Sequence, residues 1–240
     1  MSADERPPGT DALTLLAQGD VELEGRLPWS SNATYLVSLC LGGQAGRAVY
    51  KPYRGERDLW DFPDGLFIRE VAAYVLSDVL DWGLVPETVM RDDGPLGGGS
   101  YQRFVEADFE QHYFTLYDRS ELHDALRTIC AFDLLANNTD RKSGHCLLGA
   151  DGRIWAIDNG LCFHPDPKIR TVIWEFGSEP VPEPLLADVE SALGRLPGSL
   201  ADFLDEEEVG GVRRRAEWLL RSRCFPEADP AGRCYPWPLV

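Results

Sequence analysis

Residues 136–163 read ANNTDRKSGHCLLGADGRIWAIDNGLCF, and their reading decides the fold. Two acidic residues, Asp140 and Asp158, each stand at the edge of a short apolar run. From Asp140 a polar turn, Asp-Arg-Lys-Ser-Gly-His, leads into Cys146-Leu147-Leu148. A tight turn at Ala150-Asp151-Gly152 follows, and Ile154-Trp155-Ala156-Ile157 then delivers Asp158-Asn159-Gly160. An apolar run, an Asp-Gly turn and a second apolar run predict a β-hairpin. Such a hairpin would bring the two carboxylates near each other at one end.

Two carboxylates held together, with a basic residue beside one, suit phosphoryl transfer to a hydroxyl. One orients and deprotonates the acceptor while the other holds the metal on the nucleotide phosphates. Turn formation alone also explains both residues, since Asp-Gly and Asn-Thr-Asp stretches favour turns. Asn138-Thr139-Asp140-Arg141, paired with Ala156-Ile157-Asp158-Asn159-Gly160-Leu161, resembles the catalytic and metal-binding segments of type II phosphatidylinositol 4-kinases. More broadly it resembles the phosphatidylinositol 3-/4-kinase-like and HipA-like branch of the protein-kinase fold, as a bacterial homologue of the actinobacterial type. The resemblance covers roughly residues 25–163. It implies an α+β, small bilobal protein-kinase-like fold, with an antiparallel sheet and one helix in the N-lobe (1–106) and a mainly helical C-lobe (107–240).

Length and composition fit that expectation. The chain has 240 residues, 44% of them hydrophobic, and seven Trp, enough for a sizeable core. Its 23 Lys and Arg face 40 Asp and Glu, a net charge of −17 spread along the chain. Such a surface repels nucleic acid and anionic bilayers. The polar, Pro-rich start does not read as a signal peptide, and no apolar run approaches the about 18 residues of a spanning helix. The expected setting is the cytoplasm, with the six Cys as buried thiols rather than a disulfide framework; Cys224 and Cys234 alone are placed to pair.

In the first half, 11–18 predicts a short helix, and 21–27, 33–41 and 47–52 predict strands rich in Val, Leu, Tyr and Thr. The connection 25–34 is either an ordinary Ser/Asn turn or, as the resemblance implies, a phosphate-covering loop with Ser30, Ser31 and Asn32 toward the nucleotide. Lys51 ends an apolar strand, and Glu70 sits in the second turn of a helix predicted over 66–82. They are a surface Lys and a solvated Glu, or the kinase pair in which the Glu clamps a Lys aimed at phosphate. Strands follow at 85–90 and 100–106, with Gly94–Gly99 a turn between them rather than a dinucleotide loop. By the resemblance, Gln102, Phe104 and Val105 belong to the hinge that binds the adenine edge.

Helical patterning resumes over 120–137, where Leu122, Ala125, Leu126, Ile129, Phe132 and Leu135 share a face. It ends at Asn137-Asn138, exposing Asp140. The resemblance implies Asp140 as general base or acceptor-orienting group. Arg141 then neutralises charge on the transferring phosphoryl group or holds the loop, and Asp158 chelates Mg²⁺. Related kinases carry a metal-binding Asn five residues after the catalytic Asp; here that position is His145, which either coordinates the metal, with a preference shifted from Mg²⁺ toward Mn²⁺, or hydrogen-bonds a phosphate. His145, Cys146, Cys162 and His164 are also zinc-ligand types, but neighbours on a strand face opposite sides. Lys168 and Arg170 are the cations of a following segment, solvated or facing an anionic acceptor. Helices are predicted over 183–193 and 206–222.

The expected activity is transfer of the γ-phosphate of ATP, with Mg²⁺ or Mn²⁺, to a hydroxyl of an unidentified acceptor. A small molecule or a protein fits the charge better than membrane phosphatidylinositol, and no stable membrane association is expected. The alternative is a non-catalytic, nucleotide-binding pseudokinase serving as an interaction module.

Overall fold

A computed structural model describes residues 11–28, 32–57, 59 and 62–240. The chain falls into two compact units, one of Met1–Asp58 with Glu87–Phe104, the other of Leu59–Pro86 with Val105–Val240.

In the first unit five strands pair antiparallel. They are β1 (Asp20–Arg26), β2 (Tyr35–Leu41), β3 (Gln44–Pro52), β4 (Thr88–Arg91) and β5 (Gly99–Arg103), in the order β1-β2-β3-β5-β4. Alternation along the strands buries Val37 and Leu39 from β2, Ala48 and Tyr50 from β3, and Tyr101 from β5 on one face. Helix α1 (Ala12–Gln18) adds Leu15 and Leu16 to that cluster, and its N-terminus is capped by Asp11, which accepts the Thr14 N–H at 2.7 Å. The rings of Tyr50 and Tyr101 stack with centroids 4.5 Å apart. Lys51 lies opposite Ser100, where β5 begins at Gly99; a Cβ on Gly99 would stand 2.3 Å from the Lys51 carbonyl oxygen. Only glycine lets the strands close at that point. The turn over 92–98 joins β4 to β5 as a connection between antiparallel strands.

The second unit is mainly helical: α2 (Leu66–Val79), α3 (Tyr113–Tyr117), α4 (His123–Ala136), α5 (Glu183–Ala192), α6 (Leu196–Leu200) and α7 (Glu206–Ser222), with a hairpin of β6 (Cys146–Leu148) and β7 (Ile154–Ala156). One core unites Ala72, Leu76 and Leu80 at α2 with Ile129, Phe132 and Leu135 of α4, Val189 of α5, Leu200 of α6 and Leu219 of α7. That packing groups α2 with the second unit. Asp81 and Gly83, at φ +57° and +53°, follow the end of α2. The predicted 120–137 helix is a 3₁₀ turn, Ser120–Leu122, running into α4. Neither α3 nor α6 was expected; each is five residues long, too short for a periodic signal.

Asp205 and Glu208 form a reciprocal cap at the start of α7: Asp205 Oδ1 accepts the Glu208 N–H at 2.8 Å and Glu208 Oε2 accepts the Asp205 N–H at 3.0 Å. The other oxygen of Glu208 is paired with the buried Arg69 of α2, so one carboxylate ties two helices. All six cysteines are free, including Cys224 and Cys234. Among the described residues no helix is long and apolar enough to cross a membrane.

Leu76 is fully buried where α2 meets the core. Leu76→Ala is expected to cost about 2–5 kcal/mol by the lost burial and the cavity left behind, measured as a lowered urea midpoint.

Candidate active site

Helix α4 ends because Asn137 takes a left-handed conformation, φ +51°. Its side chain then organises the outgoing chain: Nδ2 donates to the carbonyls of His164 and Asp166 at 2.8 and 2.7 Å, and Oδ1 accepts the Lys168 N–H at 2.9 Å. Asn138 reaches both ways, donating to Asp133 Oδ1 at 3.1 Å and accepting the Asp140 N–H at 2.9 Å. The turn carrying Asp140 is therefore fixed from the last turn of α4.

At the centre lies Arg141, with no solvent exposure, against an equally buried Asp133. Its Nε bonds both oxygens of Asp133 at 3.1 Å. Its Nη2 bonds Asp133 Oδ1 at 2.9 Å and Asn159 Oδ1 at 2.7 Å, and Nη1 donates to the Ile157 carbonyl at 2.7 Å. Burial pulls the guanidinium toward neutrality, and Asp133 more than restores its charge. Burial raises the Asp133 pKa, while the hydrogen bonds it accepts from Arg141, Thr171 and Asn138 pull the other way. Sealed from solvent, Arg141 clamps the loop to the end of α4.

The hairpin forms as predicted, with Cys146 opposite Ala156 and Gly152 at φ +79° in the turn. Beyond it the Ile157 N–H donates to the His145 carbonyl at 3.0 Å. Asp158 follows at φ +56°, held between pinned neighbours: the Ile157 carbonyl on Arg141, and the Asn159 N–H on Glu70 Oε2 at 3.0 Å. Glu70 is buried in α2, and a Cβ on Gly160 would sit 3.3 Å from its other oxygen. The Asp158 side chain stays 51% exposed, with Oδ2 at 3.3 Å from His145 Nε2.

Asp140 is the less exposed carboxylate, 25%, with Lys142 Nζ 3.3 Å from its Oδ2. Burial pushes its pKa up to about 6; Lys142 pulls the other way and Asp158 adds to the rise. Lys142 and Asp133 were not singled out from the sequence. The available signals were a lysine two places after Asp140, and an acid on the buried face of an apolar helix.

Lys51 lies on β3 in the first unit, and Glu70 on α2 in the second. Gln102 is in β5 with its amide donating to Thr88 Oγ1 at 3.0 Å, and the Phe104 ring lies 4.6 Å from the Arg47 guanidinium. Val105 begins the return into the second unit and packs with Leu147 and Trp155 of the hairpin, while the Glu106 carbonyl accepts the Ala150 N–H at 2.8 Å. Asn32 Oδ1 accepts the Arg57 N–H at 3.3 Å; Ser30 and Ser31 lie outside the described residues. Lys168 Nζ is 3.0 Å from His164 Nε2, and Arg170 bonds through its backbone to Asn138 and Arg141. A late segment crosses the same region: the Leu239 carbonyl accepts the Ser143 N–H at 2.8 Å, and the Cys234 carbonyl accepts the Thr171 N–H and the Trp174 indole N–H.

Among the described residues no group of three or more His, Cys, Asp or Glu could hold a metal ion. Cys146 and Cys162 are sealed in the core, where burial pushes the Cys146 thiol up to about 12, unsuited to zinc. A divalent ion carried on nucleotide phosphates asks less of the protein, one or two carboxylates. The half-exposed Asp158, oriented by its pinned neighbours, fits that demand.

Asp133→Ala leaves Arg141 as a buried unpaired charge, expected to cost about 3–5 kcal/mol of stability, read from chemical denaturation.

No family model matches the chain. Among solved structures it is similar to the Helicobacter pylori proinflammatory kinase CtkA, with a TM-score of 0.55 at 12% identity, over 88% of this chain and 94% of that one. It is also similar to hydra Fam20 in a structure with sugar, with a TM-score of 0.53 at 14% identity, over 87% and 86%. At such identities the likeness is one of fold, and the fold is α+β, bilobal and kinase-like. In sequence it is 38% identical to Protein Rv2133c of Mycobacterium tuberculosis strain H37Rv, over 95% of each chain. The chain belongs to the family of that mycobacterial protein.

Proposed function

We propose that this protein is an ATP- and divalent-metal-dependent phosphotransferase acting on a hydroxyl of a small molecule or a protein. The observation that carries the reading is two unlike carboxylates at one end of the hairpin. Asp140 is largely buried with a lysine beside it; Asp158 is half-exposed in a left-handed turn between anchored neighbours. The kinase-like fold supports it, since a kinase-like site binds nucleotide with a divalent metal.

In this reading Asp140 orients the acceptor hydroxyl and takes its proton as the oxygen attacks the γ-phosphorus and ADP departs. Lys142, beside Asp140, favours the ionised carboxylate that can accept this proton. Asp158 holds the divalent ion, which when bound neutralises the phosphate oxygens. Glu70 positions Asp158 through the Asn159 N–H. Lys51 serves the nucleotide phosphates, with Ser30, Ser31 and Asn32 as the covering loop and Gln102, Phe104 and Val105 at the adenine. Residues 1–106 and 107–240 are its nucleotide-binding and catalytic lobes. The likeness to type II phosphatidylinositol 4-kinases rests on the motifs. A net charge of −17 disfavours docking on an anionic bilayer, which argues against the lipid as acceptor.

The test is transfer of γ-labelled phosphate from ATP, with Mg²⁺ or Mn²⁺, into a cell extract resolved into lipid, protein and small-molecule fractions. Label in the protein or small-molecule fraction is expected, and Asp140→Ala should lower it about 10²–10⁴-fold. Asp158→Asn should abolish metal-dependent transfer while leaving the fold intact. Metal-dependent ATP binding without label in any fraction would make the chain a nucleotide-binding module instead. Because Asp140 must be ionised to act and its pKa is raised to about 6, kcat/KM should fall about tenfold per pH unit below that value.

A further inference from the structure

His145 stands where related kinases hold a second metal, and its surroundings fix which nitrogen carries the proton. Its Nδ1 lies 3.4 Å from the backbone nitrogen of Lys142, in the 3₁₀ turn Ser143–His145. A backbone N–H can only donate, so Nδ1 must present its lone pair. A neutral imidazole with a lone pair at Nδ1 carries its hydrogen on Nε2. That nitrogen faces Asp158 Oδ2 at 3.3 Å. To bind a metal through Nε2 the ring would need its hydrogen on Nδ1, aimed at the Lys142 N–H, donor against donor.

We infer that His145 is not a metal ligand but a positioning residue, whose Nε2–H steers the Asp158 carboxylate and leaves the protein with a single divalent-ion site. The role rests on the kinase reading of Asp158. An imidazole in this tautomer gives a hydrogen bond where an amide would offer an oxygen. Hydrogen bonds of this kind to a ligating group typically govern metal affinity by about 10–100-fold.

The test is Mn²⁺ binding followed by electron paramagnetic resonance, with a β,γ-imido analogue of ATP, for the unaltered protein, His145→Ala and His145→Gln. One ion per nucleotide-bound protein is expected in all three. The affinity should fall about 10–100-fold in His145→Ala and largely return in His145→Gln, whose amide still donates. Nitrogen-15 spectra of the unaltered protein should show His145 protonated at Nε2, before and after Mg²⁺ and the analogue are added. Two ions in the unaltered protein and one in His145→Ala would overturn the role, as would unchanged affinity in His145→Ala or loss of the Nε2 proton on adding Mg²⁺. If the tautomer is as expected but the nucleotide brings no metal to any of the three, the kinase reading itself falls, and this role with it.

Discussion

The structure of the second unit turns on one buried charge pair. Arg141 and Asp133 have no exposure, and removing two charges from water is repaid only where geometry is good and the remaining donors and acceptors are filled. Here they are filled. The planar guanidinium reaches the last turn of α4, the strand exit at Ile157 and the amide of Asn159 at once. A lysine, with one point charge on a flexible stem, could not span three such partners. Its value lies less in net stability than in allowing one arrangement of the loop.

From that centre the two acids acquire different characters. Asp140 follows Asn138, is drawn inward, and holds its proton more readily than an ordinary carboxylate. Asp158 stands one residue from the clamp's contacts on each side, yet its own side chain reaches outward. Environment thus sets the two carboxylates apart, one drawn inward and one left half-exposed.

Much of this was legible in the sequence. The hairpin followed from an apolar period broken by Asp-Gly, and the long helices from their apolar faces; these are local signals, and locality is why they can be read. What escaped depends on direction. Motif order puts Arg141 beside Asp140 but cannot say that one turns inward and the other toward its lysine. Asp133 looked like an ordinary acid on a helix until its buried partner was in place. Helix α2 carried a clear period, yet which core it joins depends on contacts with α4 and α6 remote in sequence. The imidazole at 145 was read by its element preferences, whereas its hydrogen is assigned by a backbone N–H three residues earlier.

The late segment that crosses the loop does so through main-chain atoms: the carbonyls of Leu239 and Cys234 take up the N–H groups of Ser143 and Thr171. A carbonyl oxygen is the same whichever residue bears it. Substitutions along that stretch can therefore be silent where the path of the chain is kept, while a deletion that shifts the path by one residue would withdraw both supports together. For this part of the molecule, spacing rather than spelling is what inheritance has to preserve.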